Sequence, residues 1–111
     1  MEGESMAKYL ITASYTAEGA KGLLKDGGTK RKHAAEQAVK TAGGKMEAFY
    51  FAFGDHDAFI IVDAPDHAAA VATSVAVNAS GAVSCKTTVL LTPEEMDQAV
   101  KKSITYHAPG H

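Results

Sequence analysis

The stretch that decides the fold is residues 45–62, which read KMEAFYFAF, then GDHD, then AFIIV. Two apolar runs rich in aromatic and β-branched residues flank the short polar segment 54–57, and this pattern predicts two β-strands joined by a turn. The turn also holds the densest cluster of ionisable side chains in the sequence. We therefore expect any functional site to lie on or beside this hairpin.

The chain before the hairpin predicts one strand and two helical pieces. Residues alternate with a period of two over Ala7–Tyr15, which is typical of a strand. Thr16 is a suitable N-cap for a helix over 17–25, and Thr29 is a suitable N-cap for a second helix over 29–42. Two glycines follow that second helix and end it.

The chain after the hairpin predicts a helix, a strand and a last helix. Alanine and valine recur at helical spacing over 66–79, and a period of two over 82–91 predicts a fourth strand. Because the side chains of the helix over 66–79 are small, this helix is expected to approach the sheet closely. Thr92 and Glu95 have the spacing of a capping box, so the last helix is predicted over 94–102.

This order of elements, β-α-β-β-α-β with a terminal helix, predicts an α+β fold of the ferredoxin-like type. Four antiparallel strands form one sheet, and the crossover rules place both main helices on one of its faces. We expect the domain to cover 6–102, with an N-terminal extension over 1–5 and a polar tail over 103–111. The tail is expected to be loose or to lie on a neighbouring subunit.

The hairpin strands are apolar on both faces, although two helices can cover only one. By parity, one face carries Phe49, Phe51, Phe53, Phe59 and Ile61, and the other carries Ala48, Tyr50, Ala52, Ile60 and Val62. Soluble monomers rarely expose an apolar patch of this size, and burying it in a partner gains roughly 25 cal/mol per Å² of apolar area. We therefore predict self-association, as a homodimer or a larger assembly, through the open sheet face.

Composition excludes several classes of partner. The 111 residues carry a formal net charge of −2, which leaves no broad basic surface for nucleic acid or for an anionic membrane. No apolar run approaches the roughly 18 residues that a membrane helix needs. The single cysteine, Cys85, cannot form an internal disulfide, and it predicts a cytoplasmic location.

The candidate catalytic residues lie on or near the hairpin. His56 is flanked by two carboxylates and could act as a base or a ligand, and Asp57 is expected to point inward where the second strand begins. Tyr50 and Lys86 lie on central strands, and the Lys86 ammonium could neutralise a bound anion or activate a carbonyl. The alternative for residues 54–57 is a purely structural turn, and the alternative for Lys86 is a side chain that reaches solvent.

No metal or cofactor is predicted. None of the five histidines has the spacing of a recognised zinc or iron motif. The glycine pairs at 27–28 and 43–44 are not followed by the lysine and hydroxyl residue of a phosphate-binding loop.

Five segments, taken in order, resemble the GYD domain family. They are YTAEG (15–19), GGKMEAFY (43–50), GDHD (54–57), IVDAPD (61–66) and TTVLLTPEE (87–95). The resemblance covers about residues 6–100 and implies a ferredoxin-like subunit akin to the dimeric α/β-barrel proteins, with no established reaction. The family is named for a Gly-x-Tyr-Asp-type turn, and here Gly54 and Asp57 are kept while His56 replaces the tyrosine.

Three functions remain open at this point. The first is a small-ligand-binding or regulatory module that forms a homo-oligomer and performs no chemistry. The second is a cofactor-poor isomerase or monooxygenase that acts on a small organic acid or phenolic substrate, with Tyr50, His56, Asp57 and Lys86 near an apolar pocket. The third is a purely structural or interaction subunit.

Overall fold

The computed structural model describes residues 6–52 and 54–111. Its elements are β1 (Ala7–Tyr15), α1 (Ala17–Asp26), α2 (Gly28–Thr41), β2 (Lys45–Phe51), β3 (Ala58–Ala64), α3 (His67–Ala79), β4 (Val83–Leu90) and α4 (Pro93–Val100). The strands form one antiparallel sheet in the order β2-β3-β1-β4. The predicted α+β, ferredoxin-like fold is confirmed; the expected extension over 1–5 and the face assigned to Phe53 lie outside the described residues.

The helix starts follow the sequence signals in two of three cases. The Thr16 hydroxyl accepts a hydrogen bond from the Gly19 amide, and Thr92 and Glu95 form the predicted capping box. The expectation that Thr29 caps α2 is wrong. Gly27, with φ 81°, is both the C-cap of α1 and the N-cap of α2. The change of direction between the two helices therefore occurs at a single residue with positive φ, a conformation that glycine adopts readily.

The register of the hairpin corrects the assignment of its faces. Phe49 pairs with Ile60, and Tyr50 pairs with Phe59. Directly opposed residues share a face of the sheet, so odd-numbered residues of β2 lie on the same face as even-numbered residues of β3. The prediction that residues of equal parity in the two strands share a face is therefore wrong. The conclusion that both faces are apolar still holds, because the helix face has Phe49, Phe51, Ile60 and Val62 and the open face has Ala48, Tyr50, Phe59 and Ile61.

The core lies on the helix face of the sheet. Tyr9 is 2% exposed, and its phenol oxygen lies 2.6 Å from the Nδ1 atom of His67 at the start of α3. The other buried sheet residues on this face are small or aliphatic: Ile11, Ala13, Ala58, Ile60, Val62, Ala64, Val83 and Cys85. The close approach of α1 to the chain before β4 requires Gly19, because a Cβ atom there would lie 1.9 Å from the carbonyl oxygen of Ala82.

The two main helices pack on opposite edges of the sheet. Helix α2 packs on β2, whereas α3 packs mainly on β4. The central strands β3 and β1 therefore lie beneath the space between the helices. The small side chains of α3 were expected to bring that helix down on the sheet, but the structure leaves a cavity beside it.

The open face carries no helix in the part of the chain that the structure describes. Tyr50 is 71% exposed and Phe59 is 37% exposed, while Leu10 and Ile61 in the next row of the sheet are half-buried. At the edge of this face, the ammonium of Lys8 bonds the carboxylates of Glu47 and Asp63. The most apolar part of the open face is thus contributed by β3, β2 and β1 together.

Helix α4 and the tail extend away from the sheet. None of the eight residues of α4 is buried against other described parts of the chain, and residues 103–108 have no regular structure. The radius of gyration is 17.1 Å, whereas a compact chain of this length has a radius of about 13 Å. No helix among the described residues is long and apolar enough to cross a membrane.

Candidate functional site

Asp57 closes the hairpin turn by holding the end of β1. One of its carboxylate oxygens accepts a hydrogen bond of 2.8 Å from the Tyr15 amide, and its own amide donates to the carbonyl of Ala13 at 2.8 Å. Its carbonyl accepts from the Ala52 amide at 2.9 Å. The half-buried position agrees with the expectation that Asp57 points inward, and all three bonds serve the backbone.

His56 lies against an aromatic ring of the open face. Its imidazole and the ring of Phe59 form a T-shaped pair, with a centroid distance of 5.7 Å and an interplanar angle of 87°. Asp55, its neighbour in the turn, is exposed. His56 is therefore placed by an aromatic contact, and none of the hydrogen bonds found among the described residues involves its ring.

Tyr50 and Lys86 lie in one row of the open face but at opposite edges of the sheet. The row runs Tyr50, Phe59, Thr12, Lys86 across the four strands. With about 4.8 Å between neighbouring strands, the backbones of Tyr50 and Lys86 are about 14 Å apart. Lys86 is exposed, which explains why a lysine is tolerated in the middle of this strand.

The four candidates therefore do not form one site. Tyr50, His56 and Lys86 lie on the open face, whereas Asp57 borders a groove on the helix side together with Tyr15, Ala20, Leu23, Gly28, Phe51 and Ala52. Among residues 6–52 and 54–111, no three His, Cys, Asp or Glu side chains come together in an arrangement that could hold a metal ion.

A cavity that the sequence did not reveal lies between the sheet and the two main helices. Its volume is about 240 Å³. Most of its wall is apolar and comes from all four strands together with α2 and α3: Ile11, Ala13, Tyr15, Arg31, Ala34, Ala35, Ala38, Val39, Phe49, Ala58, Ile60, Thr73, Val77, Ser80, Val83 and Cys85. The sequence signal for this cavity was the cluster of alanines on α2. From their helical spacing alone, these alanines are predicted to pack in the core.

Most polar groups on the cavity wall are already engaged by nearby backbone. The Thr73 hydroxyl donates to the carbonyl of Ala69 at 2.9 Å, and the Ser80 hydroxyl donates to that of Val77 at 2.7 Å. The Cys85 thiol lies 3.7 Å from the carbonyl oxygen of Ser74. Burial raises the pKa of this thiol, so it remains protonated and unreactive at neutral pH.

The remaining polar side chains of the cavity are Arg31 and Tyr15. Both are half-buried, and both lie on the cavity wall. Within the described ranges, the guanidinium of Arg31 forms neither an ion pair nor a hydrogen bond, and the phenol oxygen of Tyr15 has no hydrogen-bond partner. The cavity is thus lined by apolar side chains together with Arg31 and Tyr15, whose polar groups have no partner among the described residues.

Comparison with known proteins identifies the family. The model of the GYD domain matches residues 9–100. The chain belongs to the GYD domain family. This match confirms the resemblance seen in the five sequence segments. All residues that line the helix–sheet cavity of this GYD domain lie within the matched range.

The fold of the GYD domain is also found in a solved structure. The crystal structure of MtbAldR aligns with a TM-score of 0.51 and 18% sequence identity over 95% of this chain. This chain spans 56% of the length of that one. At this identity the likeness shows the fold alone. No curated protein matches the sequence.

Proposed function

We propose that this GYD domain is a small-ligand-binding module that works as a homo-oligomer. The observation that carries the proposal is the apolar cavity of about 240 Å³ between the sheet and helices α2 and α3. Protein interiors are packed as densely as organic crystals, and few of their voids exceed one water molecule. The cavity is larger than such voids, partly open to solvent and mostly apolar, which are the features of a small-molecule site, and these features support the proposal.

The dimensions of the cavity define the ligand. An apolar cavity of about 150 Å³ already admits benzene, so the larger volume here accommodates a ring with a short side chain. The alanines of α2 provide this space, since larger residues at positions 35 and 38 would fill it. A ligand regains the dispersion contacts that the empty walls lack.

The enzyme alternative has less support. The proposed isomerase or monooxygenase needs its polar groups to converge on the substrate. Tyr50, His56 and Lys86 line neither the helix–sheet cavity nor the groove beside Asp57. The Asp57 carboxylate is engaged with the Tyr15 amide. The purely structural alternative leaves the apolar cavity without an explanation.

Self-association is supported by how much surface the single chain exposes. Its accessible surface is 7810 Å², whereas a compact monomer of 11.6 kDa exposes about 5,800 Å². The excess of about 2,000 Å² includes the surface of α4 and the tail, which do not pack on the sheet, and it leaves room for the roughly 800 Å² that each partner buries in a standard interface. The occupant that we propose for the open face is the same face of a second copy, since both would gain from covering the same apolar rows.

The C-terminal arm, residues 91–108, supports the same proposal. It carries five apolar side chains, each at least half exposed: Leu91, Met96, Val100, Ile104 and Tyr106. Met96 and Val100 are four residues apart and therefore lie on one side of α4. We propose that this side of α4 packs on the second copy, which adds to the area that the assembly buries.

The ligand proposal is tested by mass spectrometry of small molecules that co-purify with the native protein, comparing wild type with Ala38→Leu. The leucine reaches into the cavity and has room there, so the variant is expected to fold and to lose the bound molecule. Gln37→Leu is the matched control, because Gln37 is exposed on the same helix and does not line the cavity. Ligand retained in full by Ala38→Leu, or lost equally in Gln37→Leu, would contradict the proposal.

A further inference from the structure

The two available polar groups of the cavity suggest what kind of ligand it takes. Arg31 lies in the first turns of α2, and Tyr15 ends β1; both contribute to the wall of the same cavity. The Arg31 side chain as a whole is half-buried beside this apolar surface, and its guanidinium is not buried from solvent, as is usual for an arginine whose stem packs on apolar groups. Among the described residues no acidic side chain pairs with it, so the guanidinium is free to bind an anion.

Resting on the proposed ligand-binding function, we propose that the ligand is a small apolar monocarboxylate whose carboxylate contacts Arg31 and Tyr15. The planar guanidinium presents paired N–H donors that match the two oxygens of a carboxylate. The Tyr15 hydroxyl can donate a further hydrogen bond to the same group. The rest of the molecule lies against the aliphatic walls of β1, β3 and β4.

The other charge classes fit this cavity less well. A cationic ligand would face Arg31 without a carboxylate on the wall to compensate, because none of the lining residues is acidic. A phosphate group with two negative charges would meet a single cation, Arg31, among the residues that line the cavity. A neutral molecule fills the apolar volume but forms no charge-assisted hydrogen bond with the guanidinium.

Three probes of similar shape separate the monoanionic, neutral and cationic classes of ligand: 3-phenylpropanoate, 3-phenylpropanamide and 3-phenylpropylamine. Each is titrated into the full-length protein, and binding is measured by calorimetry and by NMR shifts of residues on the cavity wall. The carboxylate is expected to bind at least roughly tenfold more tightly than the amide, because the charged hydrogen bonds are formed only by the anion. The amine is expected to bind most weakly.

Variants at the cavity rim assign the preference to the two residues. Arg31→Gln should remove the preference for the carboxylate over the amide while leaving the affinity for the amide unchanged, and Tyr15→Phe should reduce that preference severalfold. Lys32→Gln is the matched control, because it removes the same charge one residue away at an exposed position outside the cavity wall. Its preference should equal that of wild type.

The outcomes distinguish this inference from the function on which it rests. If the amide binds as tightly as the carboxylate and both are displaced by Ala38→Leu, the cavity binds ligands but the carboxylate assignment is wrong. If none of the three probes binds and no molecule co-purifies, the ligand-binding function itself is wrong. If Lys32→Gln abolishes the preference as strongly as Arg31→Gln, the effect is one of general charge, and the contact with Arg31 is overturned.

Discussion

The carboxylate of Asp57 accepts a hydrogen bond from the backbone amide of Tyr15 at 2.8 Å, joining the hairpin turn to the end of β1. The two residues are 42 positions apart in sequence, so the bond fixes a long-range contact. It lies at the end of the sheet where Tyr15 also borders the cavity. The turn that resembles a catalytic cluster in sequence therefore acts, in this structure, to hold a strand end in place.

Replacing Asp57 should lower stability because it leaves the Tyr15 amide without its acceptor. For Asp57→Ala we expect a loss of roughly 1.5–3 kcal/mol in the free energy of unfolding, the range for hydrogen bonds to charged groups. Asp55→Ala is the control, since Asp55 lies in the same turn but is exposed. Urea denaturation of the two variants measures the difference, and equal stabilities would refute the structural role of Asp57.

Lys8 should resist chemical modification because two carboxylates hold its proton. Hydrogen bonds to Glu47, and then to Asp63, raise the pKa of Lys8 to about 12. Only the neutral amine reacts with acylating reagents, so at pH 9–10 Lys8 should be modified roughly 25- to 30-fold more slowly than an ordinary lysine. The contribution of this ion pair to stability is complete below the ordinary lysine pKa of 10.5 and is lost as the pH rises through about 12.

Peptide mapping after brief acetylation measures the effect on Lys8, with the exposed Lys45 on β2 as the internal reference. Glu47→Gln removes the carboxylate with the larger influence on the Lys8 pKa, and it should increase the modification of Lys8 relative to Lys45. Equal rates at Lys8 and Lys45 in the wild-type protein would show that the network does not hold the proton.

Charges introduced on the proposed interface should separate the subunits. Tyr50 is 71% exposed on the open face, and Val100 is 73% exposed on α4, so Tyr50→Lys and Val100→Asp leave the single subunit undisturbed. We expect the wild-type protein to have at least twice the mass of one chain in light scattering after size exclusion. Both variants should shift toward the monomer.

Val71→Lys is the control for this comparison, because Val71 is an exposed apolar residue on α3, outside both surfaces. Its mass in solution should equal that of wild type. A wild-type protein that is monomeric at tens of micromolar would disprove the self-association. A dimer that resists Tyr50→Lys but not Val100→Asp would assign the interface to the arm.

Local patterns were sufficient to predict most of the fold. The alternation over β1 predicted its bounds, and Thr92 with Glu95 predicted the start of α4, because both signals depend on neighbouring residues only. The face of each hairpin residue was harder to predict. It depends on the pairing of Tyr50 with Phe59, and the irregularity between Met46 and Ala48 shifts the register of β2.

The candidate site was predicted only in part for the same reason. Asp57 was expected to point inward, and its carboxylate borders the groove on the helix side, but the preceding residue His56 lies against Phe59 on the opposite face. The cavity depends on the distance between α2 and α3, which is a property of the packed molecule. A helix with Ala34, Ala35 and Ala38 can equally pack closely on a sheet, so those residues alone could not reveal the cavity.

The sheet that separates the two proposed binding surfaces is a single layer of backbone. Phe59 faces the surface proposed for the second copy, and the next residue, Ile60, faces the cavity. If the cavity and the open face are occupied as proposed, a ligand in contact with Ile60 and a second copy packed on Phe59 would act on adjacent residues of β3, one peptide bond apart. We therefore expect a change in the occupancy of the cavity to be detectable as a change in the strength of assembly.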